Sequence, residues 1–383
     1  MSRKKQAELL LAALMAVGTV AGCESGTAEP QSGSSAQEPE AVTMTFLRAG
    51  TDEITQNVYE ELIAGYEEEH SGVTIEYQQV NFGTDLETKL NTLYAGGSAP
   101  DLVRAPISTI ALRASMGQYA ELDGYIENWS EKDNYLENAY EVGSYNGKQY
   151  GLPINIDAQV LFPISGEHQT LIPFARQNGS LVVDEENNKP VFNDEKTVEA
   201  LEYLMQYADK NLIIPYVRNK DQNPFLLGNA AMTYGAVGEY TTLQANGIEW
   251  VDQIGFACGV GREKINTFGG AQIMFISEES KYKDQAWSFM EYLFTDDSVW
   301  KLVSETGATP VKLSLSDQYI EAFPEIGPAF LESLQYAQGM PKVEWSASFE
   351  EAIKLAFEEA MYGKKDAKTA LDDAYNQLMA EIG

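Results

Sequence analysis

Cysteine, histidine and positive charge are all scarce. Two cysteines, Cys23 and Cys258, and two histidines, His70 and His168, leave little for a zinc cluster or a disulfide scaffold. Lys plus Arg number 26 against 58 Asp plus Glu, a formal net charge of −32 over 383 residues. A surface of that sign repels phosphate backbones and anionic headgroups, which argues against nucleic-acid binding. Beyond residue 22 no apolar run approaches the roughly 20 residues a spanning helix requires. The common catalytic signatures are missing as well: no Gly-x-x-x-x-Gly-Lys-Ser/Thr loop, His-Glu-x-x-His, Gly-x-Ser-x-Gly or Gly-x-Gly-x-x-Gly. Gly255, Gly259 and Gly261 have the wrong spacing for a phosphate loop and read as turns. No cofactor, no metal and no catalytic residue is expected, and the chain is read as not an enzyme.

What is present begins at the N-terminus. Arg3, Lys4 and Lys5 precede the apolar run Leu9–Val20, 12 residues long, and small residues lead to Cys23. This is the layout of a signal peptide over residues 1–22. Val20-Ala21-Gly22-Cys23 resembles the lipobox of bacterial lipoproteins, which implies acylation of Cys23 and anchoring on the outer face of the cell membrane. Two acyl chains, at about 0.8 kcal/mol per buried CH₂, hold a protein on a bilayer. Residues 24–40 are rich in Ser, Gly, Pro, Glu and Gln and have no apolar period. Residues 23–41 are therefore read as a lipidated flexible tether.

The body is patterned from Val42 onward. Val42, Met44 and Phe46 alternate as in a strand, then Val58, Leu62, Ile63 and Tyr66 follow helical spacing. Val73, Ile75 and Tyr77 alternate again; Leu86, Leu90, Leu93 and Tyr94 form a second stripe; Leu102 and Val103 open a third strand. This β-α-β-α-β order calls for a parallel sheet, whose ligands sit at the carboxyl ends of the strands. Asn146-Gly147 marks a hairpin, and Asn193 or Asp194 caps a helix bearing Val198, Leu201, Met205 and Ala208. Ser348 with Glu351 has capping-box spacing, and Asp366 opens a last helix.

Individual polar residues mostly have plain readings. Cys258, between Ala257 and Gly259, is read as small core filler. His70 serves the last carbonyls of its helix, and His168 lies in a solvated turn. Asp184-Glu185-Glu186-Asn187-Asn188 lacks calcium-loop spacing and reads as an acidic turn. Aromatics make up 11% of the chain, several of them in Gly- or Pro-flanked loops. Flat rings for C–H faces, with Asp, Asn, Glu or Arg to pair hydroxyls, are what a sugar site requires.

Several segments in order resemble the extracellular solute-binding proteins of carbohydrate ABC importers, the maltose-binding-like family. They are Ala99-Pro100-Asp101-Leu102-Val103, Gly117-Gln118-Tyr119-Ala120-Glu121-Leu122, and Asn146-Gly147-Lys148-Gln149-Tyr150-Gly151-Leu152-Pro153. Gly228-Asn229-Ala230-Ala231-Met232, Phe268-Gly269-Gly270 and Thr306-Gly307-Ala308-Thr309-Pro310 continue the series. The resemblance implies an α/β, periplasmic-binding-protein-like fold of two lobes with a hinge and an interlobe cleft. The lobes would be 42–156 with 265–310, and 157–264 with 311–383. It further implies a monomeric receptor that closes on a carbohydrate and docks on ABC transporter permease subunits. The chain departs from the family pattern at 162/163, where Phe162 runs directly into Pro163-Ile164-Ser165-Gly166. The family's further segment is missing there, which implies either a trimmed second lobe or a deleted copy, and the expectation is weakened function.

By strand topology, Arg48, Thr51 and Asp52 follow the first strand, Phe82 the second and Arg104 the third, and these are ligand candidates. The resemblance adds Asn155 and Asp157 at the hinge, and Glu239 and Tyr240 at the position where the family often has Trp, with Tyr240 as the stacking candidate. Gly269 and Gly270 are candidates for close backbone approach to ligand. Trp345, in a polar loop before a helix, is a second stacking platform. Two other readings stay open: a surface glycoside hydrolase, and a receptor for a peptide, polyamine or other solute.

Overall fold

Three alternating segments, each closed by a turn signal, become three neighbouring parallel strands. The structure is a computed structural model that describes residues 41–158, 167–209, 240, 243–244, 246–258 and 260–383. The expected acylation site Cys23, residues 23–40 of the tether and the departure at 162/163 lie outside the described residues. Strand β1 (Val42–Ala49) leads through Asp52 into helix α1 (Glu53–Glu69), whose Val58, Tyr59, Leu62, Ile63 and Tyr66 are buried. His70 ends α1 as expected, its ring stacked on Tyr66 and its Nδ1 3.0 Å from the Tyr66 carbonyl. Strand β2 (Val73–Val80), helix α2 (Thr84–Ala95) and strand β3 (Leu102–Pro106) complete the unit. Both β2 and β3 pair in parallel with β1, so β1 lies between them.

Short helices α3 (Ile110–Ser115), α4 (Asp123–Ile126) and α5 (Glu137–Glu141) carry the chain to a hairpin of β4 (Ser144–Tyr145) and β5 (Lys148–Gln149). Asn146 and Gly147 turn it, both at positive φ, as an Asn-Gly pair allows. Strand β6 (Gly151–Ala158) follows, then helix α6 (Glu167–Gln177). His168 thus lies in the first turn of a helix and not in a loop; the buried stripe Thr170, Leu171, Ile172 and Ala175 draws the helix that far back. The acidic turn forms a hairpin between β7 (Val183–Asp184) and β8 (Lys189–Pro190), with Asn187 N donating to Asp184 Oδ1 at 3.1 Å. Helix α7 (Glu195–Asp209) starts from Asp194, which accepts from Thr197 N at 2.8 Å.

Strand β10 (Ile265–Ile276) organises the sheet. Its later residues pair antiparallel with β3 on one edge and β6 on the other, and its first residues pair with β9 (Val260–Gly261) and β11 (Ala337–Gln338). The order is β11-β10-β3-β1-β2, with β6 also along β10. The β6–β10 register slips between Gln272 and Ile273, opposite Pro153–Asn155. Pro153 has no N–H for the ladder, so the bulge forms there and re-aims Asn155.

Helices α8 (Lys283–Leu293) and α9 (Asp296–Thr306) follow β10, then α10 (Ser316–Ala322) and α11 (Gly327–Leu334). Helices α12 (Ser346–Met361) and α13 (Ala367–Ile382) pack on each other and on α7. Asp366 caps α13 through Thr369 N at 2.8 Å. The capping box at Ser348 does not form, because α12 begins two residues earlier to bury Ser346 and Phe349. Ser348 instead donates to Glu381 of α13. Cys258 is half-buried, its thiol pushed up by burial and by Glu332 beside it, and is not core filler.

One charge cluster ties remote segments together. The Lys312 side chain is fully buried; its Nζ donates to the Phe294 carbonyl at 2.7 Å and pairs with Glu131 at 3.0 Å and with Asp296. Hydrogen bonds from Asn134 and Lys312 hold the Glu131 carboxyl below the usual range. Replacing Lys312 by Met strands two carboxylates, both still partly in water, and should cost about 2 kcal/mol in urea unfolding at neutral pH. A lowered carboxyl contributes stability above its ordinary titration range and loses it as pH falls through the folded value. The deficit of K312M relative to the parent should therefore shrink in acid. An unchanged deficit would show that the ion pairs carry none of it.

Candidate functional site

The carboxyl ends of β1 and β3 bring two arginines side by side. Arg48 and Arg104 are register partners, and neighbours in a parallel ladder project to the same face. Both are strand residues and not loop residues, with 1% and 6% of their surface exposed. The face they share is aromatic: the Phe46 ring lies 5.4 Å from Tyr59 and 5.3 Å from Tyr77. Arg104 Cζ sits 5.6 Å from the Tyr59 ring centroid, a cation–π contact, and its Nη2 donates to Asn155 Oδ1 at 3.3 Å.

Arg48 is held by the loop that follows its strand. Its Nη1 donates to Asp52 Oδ2 at 2.9 Å, and its Nη2 to the Asp52 carbonyl at 3.1 Å and to Gln79 Oε1 at 3.4 Å. Asp52 also caps α1, accepting from Thr55 N at 2.8 Å. Burial would push the Asp52 carboxyl up, but the hydrogen bonds from Thr55 and Arg48 outweigh it and hold the group at about 2. Gly50, at φ 103°, lets the chain pass beneath the Phe82 ring, where a Cβ would lie 3.1 Å from ring carbons. Thr51 donates to Asn81 at 3.0 Å beside it. The result is a buried base of two guanidinium groups under a rim of Thr51, Asp52 and Phe82, all exposed.

Four polar atoms in this base have no hydrogen-bond partner among the described residues: Arg48 Nε, Arg104 Nε and the hydroxyls of Tyr59 and Tyr77. Burial pushes the Tyr59 phenol up and the Tyr77 phenol to about 12, against the nearby guanidinium groups, so both remain O–H donors at neutral pH. Asn155 sits at the β6 bulge, opposite Gln272, whose buried Oε1 also lacks a partner. Tyr59, Tyr77, Gln79 and Gln272 belong to this assembly, although the sequence reading names only Tyr77 among them, as an alternating strand residue. The alternation that places Tyr77 and Gln79 on the face of Phe46 and Arg48 is the signal that finds them.

The remaining candidates lie apart from this base. Asp157 pairs with Gly270 in the β6–β10 ladder, one step beyond Asn155. Gly269 is required by strand β11 and not shown to face a ligand, since a Cβ there would meet Ala337 Cβ at 2.8 Å. A Cβ on Gly270 would make only a van der Waals contact, with the Phe268 ring at 4.0 Å. Tyr240 is no free stacking face: its ring is buried edge-on to Phe256 and its hydroxyl donates to Glu325 at 3.0 Å. Trp345 is half-buried; its Nε1 donates to Asn188 Oδ1 at 2.9 Å and pins the β7–β8 hairpin to the start of α12. Glu239 lies outside the described residues. Among the described residues no group of His, Cys, Asp and Glu is arranged to hold a metal ion, and no helix is long and apolar enough to cross a membrane.

Comparisons with known proteins agree with this architecture. Two family models, each described as a bacterial extracellular solute-binding protein, match residues 50–163 and 165–326. Among solved structures, the chain resembles an ABC transporter solute-binding protein from Thermotoga lettingae bound with α-D-tagatose. That likeness has TM-score 0.76 and 19% identity over 89% of this chain and 100% of the other. It also resembles the GacH receptor of Streptomyces glaucescens, solved unliganded and with acarbose, at TM-score 0.75 and 22% identity over 90% and 100%. The sugar-binding protein MalE from Xanthomonas citri matches at TM-score 0.77 and 16% identity over 88% and 98%. At such identities the likeness shows the fold, which is α/β and periplasmic-binding-protein-like. No curated protein sequence matches the chain.

The Asp52 contacts make a testable prediction. Asp52→Asn keeps the cap acceptor but removes the charge facing Arg48. With more than half of the Asp52 side chain exposed, the loss should be about 1 kcal/mol at pH 7 after allowance for solvent screening. Because the folded carboxyl titrates below its ordinary 3.8, that contribution is present above about pH 4 and fades toward pH 2. Urea midpoints of parent and D52N should converge over that interval; equal midpoints at pH 7 would contradict it.

Proposed function

The chain belongs to the bacterial extracellular solute-binding proteins, and from that premise we propose a lipid-anchored receptor that captures a sugar or oligosaccharide and delivers it to an ABC permease. The observation that carries the reading is the polar base at the carboxyl edge of β1 and β3, with Asn155 presented by the β6 bulge and the Phe82 ring standing over it. Guanidinium, amide and carboxylate groups pair hydroxyls in directions fixed by the sheet, and an exposed ring covers an apolar sugar face. Arg48, Thr51, Asp52, Phe82, Arg104 and Asn155 are the proposed contacts, with Asp157 and Gly270 next in the ladder. Residues 42–156 with 265–310 form one lobe of the proposed receptor, and 157–264 with 311–383 the other. Ligand contacts made by both lobes exist only when they close, so ligand shifts the population toward the closed form. The family models and structural neighbours are solute-binding proteins, which supports binding without turnover.

A thermal-shift panel of mono- and oligosaccharides should give at least one clear rise in melting temperature, with the saccharide recovered unchanged. In Phe82→Ala affinity should fall about tenfold, equivalent to about 1.4 kcal/mol of lost ring contact. No shift with any saccharide, or release of shorter sugars, would overturn the reading. For the anchor, Cys23→Ala should release the protein from membranes into the medium; a variant that stays membrane-bound would contradict acylation at Cys23.

A further inference from the structure

The two arginines differ in how they are neutralised. Arg48 has Asp52 at 2.9 Å. Arg104, 6% exposed, has no carboxylate among the described side chains; its partners are the Tyr59 ring and, at 3.3 Å, the Asn155 amide oxygen. Its Nε has no hydrogen-bond partner among the described residues. Asp157, the next acidic residue along β6, pairs in the backbone ladder with Gly270, four residues from Met274, the partner of Arg104. Among the described side chains the base carries two guanidinium charges against one carboxylate, and that carboxylate faces solvent.

The geometry points to an acidic saccharide, one bearing a hexuronate carboxylate, as the ligand class of this site. The inference rests on the sugar-receptor reading above. A neutral hydroxyl would leave the Arg104 charge uncompensated in a desolvated setting, whereas a carboxylate neutralises it. The Nε–Nη2 edge of a guanidinium offers two parallel N–H bonds that match the two oxygens of a planar carboxylate. The Tyr59 and Tyr77 hydroxyls supply further donors on the same face. The strongly negative surface does not reverse this preference, because its field is screened within about 8 Å at physiological salt while the buried guanidinium acts at contact.

The test uses matched pairs: glucuronate-, galacturonate- and mannuronate-containing oligosaccharides, each beside its carboxyl-reduced counterpart, titrated calorimetrically into the mature chain. One acidic member should bind at least tenfold more tightly than its reduced partner. In Arg104→Gln its affinity should fall to the level the parent shows for the reduced partner, without any loss of ligand-free melting temperature, since the substitution removes a buried charge that lacks a carboxylate. Arg104→Lys should retain part of the preference. Reduced members that bind as tightly as acidic ones would overturn the inference and leave the sugar reading standing. So would an acid preference untouched by R104Q, or an R104Q that loses melting temperature and weakens both members alike. No binding by any member of any pair would overturn both.

Discussion

The register of β1 against β3 sets two like charges side by side at the end of a sheet, and much of the surrounding architecture compensates for it. Like charges on neighbouring strands of a buried face repel more than they would in water. The fold offsets this with the Asp52 carboxylate, the Gln79 and Asn155 amide oxygens and the negative face of Tyr59. Asp52 is fixed in turn because it caps α1, and α1 is fixed because Tyr59, Leu62 and Tyr66 are buried. Cap, helix and guanidinium are one mechanical unit. A site built this way is organised before ligand arrives, so little binding energy is lost to ordering side chains.

Strand β10 gives that unit its second side. Its antiparallel pairing with both β3 and β6 brings Asn155, distant in sequence, to the Arg104 guanidinium. Pro153 breaks the ladder where Asn155 has to turn. In the proposed receptor β6 and β10 are also the natural crossing strands between lobes, so a ligand that touches Asn155 and Arg104 acts where a small change in strand geometry moves the most mass. The Lys312 cluster and the Trp345–Asn188 bond sit outside this base and hold helices and hairpins in place around it.

Much of this was legible in the sequence, and the misses have physical causes. The β-α-β-α-β order followed from alternation and helical spacing, and Asn146-Gly147, Asp194 and Asp366 announced their turns and caps through local hydrogen-bonding capacity, whereas Asp52 was read as a ligand candidate and not as a cap. Arg48 and Arg104 were found as candidates but placed in loops, because nothing at Arg48 or Arg104 marks that the strand continues to Ala49 or Pro106. The burial of Tyr240 was not legible because its partner Glu325 is far away in sequence. The Ser348 box matched a local rule that the burial of Phe349 overrode. Local rules governed the elements; tertiary contacts decided which face each side chain met.

The central claim is that ligand is captured at this carboxyl edge. Amide hydrogen exchange of the mature chain, with and without a saccharide that raises its melting temperature, tests that most directly. The account predicts new protection concentrated at residues 48–53, 81–83, 104–109 and 153–157. Binding that leaves those four segments unprotected, with protection confined to other parts of the chain, would contradict it.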